Sequence, residues 1–202
     1  MRSNRLEAFS DGVLAIIITI MVLELRAPVP AGQSAAFSDL WDGETHLTFL
    51  SYLLSFLYIA IYWNNHHHLM QTVDRVTGGI LWANMALLFC LSLFPFATSW
   101  MGENVGDPAP AAAYGMVLFA AGAAYTLLVR VIIRSQGEDS LTARAMGRDS
   151  KGLVSVVAYA VAIPAAFLAV WMSYLLFVAV AILWVVPDRR IEKVLADEGR
   201  LD

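Results

Sequence analysis

Long apolar stretches alternate with short polar ones along this chain, and their lengths set the architecture. Residues 5–25, RLEAFSDGVLAIIITIMVLEL, form an apolar run entered through a short polar cluster. Further runs occupy residues 46–69, 79–101, 112–133, 152–169 and 171–187. About 17–25 apolar residues cross a hydrocarbon core about 30 Å thick as a helix, so each run predicts a transmembrane helix. The last two runs are read as a pair joined by a tight turn near Trp171–Ser173, because one continuous helix would far exceed a single crossing. The expected fold is all-α: one six-helix transmembrane domain over residues 1–202. A Pro- and Gly-containing loop follows the first run, with a short interfacial helix expected around Phe37–Trp41. Pro95 and Pro164 should kink their helices.

Basic residues orient the bundle. With the N-terminus in the cytoplasm, every Lys and Arg except Arg26 falls in an inside segment. Such asymmetry follows the positive-inside rule and supports an even number of helices. Both termini are therefore expected in the cytoplasm and the protein in the plasma (cell) membrane. The connector Arg144–Lys151 reads as a solvated loop or a helix lying on the inner surface, held by anionic lipid.

Composition changes this picture little. The chain is 59% hydrophobic and 15% charged, where a soluble domain carries roughly a quarter charged residues. The basic residues form no continuous patch, so nucleic acid is not an expected partner. Cys90 is alone and reads as a small buried hydrophobe. The first run is too long for a cleavable signal and is expected to stay as a membrane helix. No nucleophile–base–orienter set is present, so neither an enzyme nor a cofactor is expected.

The first helix has two faces. Advancing about 100° per residue from Ile16 puts Arg5, Phe9, Gly12, Thr19, Ile20 and Leu23 within about 60° of it. Asp11 lies at about 220° and Ser10 at about 120°. Several copies meeting along this stripe would stack rings of Ile16 and Leu23 around a ring of Thr19 hydroxyls. Branched apolar rings close a pore by dewetting, and hydroxyl rings replace part of an ion's water shell. The alternative is that the stripe packs on another helix of the same chain while Thr19 bonds back to the Ala15 carbonyl.

The segment R-x-x-x-F-S-D-G-V-x-A-I comprises Arg5, Phe9, Ser10, Asp11, Gly12, Val13, Ala15 and Ile16, and is followed by Thr19 and Val22-Leu23-Glu24. It resembles the first-helix signature of the transmembrane protein 175 family, as do the six hydrophobic segments and the Trp-Asn-x-His end of the second run. The resemblance implies a potassium-permeable cation channel. Bacterial members carry one six-helix unit and assemble as tetramers, whereas animal members carry two units and sit in endosomal and lysosomal membranes. The family lacks the Thr-Val-Gly-Tyr-Gly filter of ordinary potassium channels, and this chain has no such segment. The resemblance further implies a pore lined by the first helix, constricted at Ile16, with further rings at Ile20 and Leu23 and a selectivity role for Thr19. Potassium and other monovalent cations would be the permeant partners, in a homotetramer set in membrane lipid.

The second run returns inward, so Trp63, Asn64, Asn65, His66, His67 and His68 reach the same depth as Asp11. Ser10 and Asp11 are expected to accept hydrogen bonds from one of the histidines and from Trp63 or an Asn, pinning the two helices together. Two other readings stand beside this structural network. Metal chelation on a helix favours i, i+4 spacing, whereas three successive histidines fan over about 200°, so no metal is assigned. One or two of them could still bind metal with partners elsewhere. A histidine could instead sense protons. Arg5, at the cytoplasmic mouth, can snorkel to water or reach an acidic neighbour. Asn84, Ser92 and Thr98 are expected to bond between helices. The alternative function is a proton-coupled secondary transporter using Asp11 and His66–His68, although the internal repeats usual in such transporters are missing.

Overall fold

The computed structural model describes residues 3–27, 37, 41, 43–146 and 150–185. Apolar sequence with few helix breakers becomes helix throughout, and no strand occurs among the described residues. Helix α1 spans Ser3–Met21 and tightens into a 3-10 turn at Val22–Glu24. Next come α2 (Gly43–Gln71), α3 (Gly78–Ser92), α4 (Phe94–Glu103) and α5 (Pro108–Gln136). Helices α6 (Leu141–Met146), α7 (Ser150–Leu168) and α8 (Val170–Val185) complete the order. Among the described residues five stretches are long and apolar enough to cross a membrane: Ser3–Glu24, Thr45–Gln71, Gly78–Glu103, Pro108–Gln136 and Lys151–Leu168. Val170–Val185 is apolar but shorter.

Local chemistry explains the breaks. Thr77 caps α3 by accepting from the Ile80 amide. The third apolar run is interrupted at Leu93 because Pro95, near the start of α4, has no N–H and its ring crowds the carbonyl four residues back. Gly137 stops α5 at φ 97, a conformation that costs other residues strain. The turn between α7 and α8 falls at Ala169, not at Trp171–Ser173, which lie inside α8. Its backbone is satisfied by Ala169 N donating to Ala165 O and Met172 N to Ala169 O, both at 2.9 Å. Pro164 sits inside α7. The expected interfacial helix at Phe37–Trp41 lies outside the described residues apart from those two exposed side chains. So do parts of the Arg144–Lys151 connector and all the basic residues beyond 185. Cys90 is half-buried rather than buried.

Interhelical hydrogen bonds give the strand-like register of the bundle. Asp11 meets Trp63 and Glu7 meets His67, so α1 and α2 are antiparallel. Ser55–Tyr114 and Asn65–Tyr125 make α2 and α5 parallel. Ser155–Trp184 and Ala162–Ser173 make α7 and α8 an antiparallel pair. Helix α5 is the hub, packing on α3, α4, α7 and α8. At the α2–α4 contact Gly102 allows close approach, since a Cβ there would lie 3.2 Å from the Thr48 Cα. Thr48 donates to the Gly102 carbonyl at 2.9 Å.

The core is aromatic, and the Tyr58, Tyr114 and Tyr125 hydroxyls are hydrogen-bonded. Tyr58, Tyr62, Phe94, Tyr114, Tyr125, Tyr159 and Phe177 contact one another at centroid separations of 5.3–6.4 Å. Tyr58 donates to the Phe177 carbonyl at 2.6 Å, and the Thr98 hydroxyl oxygen lies 2.7 Å from both Ser55 Oγ and the Phe94 carbonyl, sharing its one proton between them. Thr98 and Asn84 bond between helices as expected. Ser92 does not: it is exposed and turns back to the Phe89 carbonyl at 2.7 Å.

A helix with one bonded face and one bare apolar face

Helix α1 buries Leu6, Ser10, Leu14, Ile17 and Met21 against its neighbours α2, α3 and α4. Its other face is open. Arg5, Phe9, Gly12, Ile16, Thr19, Ile20 and Leu23 are all exposed, with Ile16 at 57% and Leu23 at 75%. Among the described residues no helix covers the stripe. Thr19 Oγ1 does bond to its own helix, at 2.9 Å from Ala15 O and 3.0 Å from Ile16 O. Beside the stripe runs an open groove of about 720 Å³, with Ile16 and Ile20 on one wall, Phe96 and Trp100 on the other, and Glu24 and Glu103 at its end. Arg26 pairs with Glu103 at 3.1 Å.

The buried face is fixed by two sets of polar contacts. The first is a directed chain: His66 Nε2–H donates to Asn84 Oδ1 at 2.8 Å, Asn84 Nδ2 to Ser10 Oγ at 2.9 Å, and Ser10 to the Leu6 carbonyl at 2.9 Å. It joins α1, α2 and α3, and all three side chains are buried. The second set is half-exposed. Trp63 Nε1 donates to Asp11 at 3.0 Å, and His67 Nδ1 lies 2.9 Å from Glu7 Oε1. The His67 ring stacks on Trp63 at 5.9 Å and 19°, and its Nε2 is 3.1 Å from Gln71 Nε2. His68 meets the His67 ring edge-on at 5.7 Å.

This arrangement corrects one expectation. No histidine bonds Ser10 or Asp11 directly; His66 reaches Ser10 only through Asn84 of α3, which fills the gap between the helices. Successive residues diverge by about 100°, so His66 turns into the three-helix junction and His67 turns toward Glu7. Asn64 is half-buried with no side-chain hydrogen bond among the described residues, and Arg5 makes no ion pair there. Glu7, Gln71 and the bridging place of Asn84 were not read as part of the cluster from sequence. Glu7 was visible in principle, since it stands one helical turn before Asp11 and shares its face.

Comparison with known proteins bears on the fold that carries these contacts. Residues 5–95, which hold nearly all of α1 and the whole of α2 and α3, match the family profile described as the endosomal/lysosomal potassium channel TMEM175. A potassium channel of Chryseobacterium sp. is 48% identical over 98% of this chain and 100% of its own length. The endosomal/lysosomal proton channel TMEM175 of Gallus gallus is 28% identical over 65% of this chain, which covers 25% of that longer protein. The crystal structure of a lysosomal potassium-selective channel TMEM175 homolog from Chamaesiphon minutus superposes with a TM-score of 0.75 at 27% identity, covering 92% of this chain and 97% of that one. The Phe9-Ser10-Asp11 helix, bonded on one side and bare on the other, thus sits in a fold and a sequence shared along nearly the whole chain with a bacterial relative, and the chain is a bacterial member of the TMEM175 family.

Proposed function

We propose that this protein is a potassium-permeable cation channel of the cell membrane, conducting passively through a homotetrameric pore lined by α1. The carrying observation is the exposed stripe of Phe9, Gly12, Ile16, Thr19, Ile20 and Leu23 on a helix whose opposite face is locked to three neighbours. A lone α1 supplies one wall, so enclosing a pore takes several copies. In this reading Ile16, Ile20 and Leu23 form apolar constrictions that pass ions when widened, and Thr19 contacts the partly dehydrated ion. The bundle is a single domain of six transmembrane helices, the sixth formed by the Val170–Val185 region, with both termini in the cytoplasm. The positive-inside distribution supports that orientation. The clamp through Ser10, Asp11, Trp63, His66 and His67 holds the stripe toward the axis, with Arg5 at the inner mouth. No cofactor is needed; the ligands are permeant potassium and other monovalent cations, and membrane lipid surrounds the tetramer. The potassium channel name of the bacterial relative supports the permeant ion.

The test is a planar-bilayer recording of the purified protein with potassium on one side and sodium on the other. A reversal potential displaced toward potassium supports the reading. A potential that instead tracks an imposed proton gradient in fixed stoichiometry favours a proton-coupled transporter through Asp11 and His66–His68. Absence of current overturns both.

A further inference from the structure

The contact between α1 and α2 carries more chemistry than a helix clamp needs. Glu7 and Asp11 stand one turn apart on the face of α1 turned about 140–180° from Ile16. His67 reaches them from the antiparallel α2. One ligand-type atom from each of the three lies within 4.8 Å of the other two. Two carboxylates and an imidazole, with further positions left to water, make a donor set that zinc and neighbouring first-row ions accept. The three side chains are half-buried, so an ion can enter from solvent. Among the described residues no Lys or Arg is ion-paired to either carboxylate, and Glu7 pairs with His67 itself.

How His67 is held is a second, independent pointer. Its ring is stacked on Trp63, and its Nε2 faces the Gln71 side-chain amide at 3.1 Å. The Gln71 amide N–H donates to Nε2 and Nδ1–H donates to the Glu7 carboxylate, so the ring is held from both sides with Nδ1 turned to the carboxylates. An ion bound at Nδ1 takes the place of that proton.

We propose that Glu7, Asp11 and His67 form a binding site for a divalent transition-metal ion of the zinc type, bridging α1 and α2. Glu7 stands at an unspecified position of R-x-x-x-F-S-D and His67 follows Trp-Asn-x-His, so neither motif specifies the site. It does not depend on the channel reading. The test uses the purified full-length protein, stripped of metal and titrated with zinc chloride by calorimetry and cobalt chloride by visible absorption. The expected result is one saturable site per chain, cobalt d–d bands, and a melting temperature raised by zinc. Glu7→Gln and His67→Gln should each weaken binding by at least about tenfold, and Gln71→Ala less so. Glu7→Gln keeps the side chain's shape at a half-exposed position, so it reports even if His67→Gln fails to assemble. Absence of saturable binding, or affinity unchanged in both ligand variants, overturns the proposal.

Discussion

Replacing Asn84 by Ala should destabilise the protein far more than the loss of one amide suggests. The side chain is fully buried and makes two interhelical hydrogen bonds, to Ser10 and His66. Such bonds between membrane helices average about 0.6 kcal/mol and reach about 1.7 kcal/mol. Ser10 keeps its bond to Leu6, so it is not orphaned. His66 fares worse: its ring is 1% exposed and its Nδ1 already lacks a partner among the described residues, so losing Asn84 leaves the whole imidazole unsatisfied. Leaving a buried polar group bare costs about 1–3 kcal/mol. Together these give about 2–5 kcal/mol. Reversible unfolding of the purified protein in mixed micelles measures the difference, with Ser92→Ala as the control because that hydroxyl bonds only its own turn. The control should stay within about 0.5 kcal/mol of wild type. A double-mutant cycle with His66→Ala should show strong coupling. If Asn84→Ala matched Ser92→Ala, or the cycle gave no coupling, the junction would not be what fixes α1.

Three further outcomes follow from the same contacts. Ile16→Asn should alter conductance or gating strongly in bilayer recordings, whereas Ile18→Asn, about 160° around the helix, should act through folding; equal effects would remove α1 from the pore. Asp11→Ala frees Trp63 Nε1 and should lower tetramer yield on size exclusion before it changes ion preference; altered selectivity in an intact tetramer would refute a purely clamping role. Gly102→Ala places a methyl 3.2 Å from the Thr48 backbone and side chain, an overpacked contact costing about 1–3 kcal/mol, readable as a lower melting temperature.

The two faces of α1 were legible because helical periodicity needs no knowledge of neighbours. The stripe through Ile16 and Leu23 emerges from spacing alone, and the structure leaves that stripe bare. Partners across helices were not legible in the same way. Which histidine meets which acid depends on the rotation of α2, and Asn84 enters from a helix whose distance from α1 no local pattern encodes. The Ala169 turn was misplaced by two residues or more because Ala-Val-Trp-Met carries no Gly or Pro to mark it. The Leu93 break was announced by Pro95, since its chemistry is local. Glu7 is not signalled by the histidine run, where consecutive residues diverge; the i, i+4 pair opposite it, Glu7 and Asp11, carries the signal.

The back-bonding of Thr19 bears on the sign of charge that a ring of such residues would admit. Its hydroxyl proton is already committed to the helix carbonyls of Ala15 and Ile16, so toward the open side the oxygen presents only electron density. Four such oxygens around an axis would welcome a positive guest and offer nothing to a chloride ion. Discrimination against anions would then need no acidic residue at that level, and it would persist at any pH that leaves the helix intact.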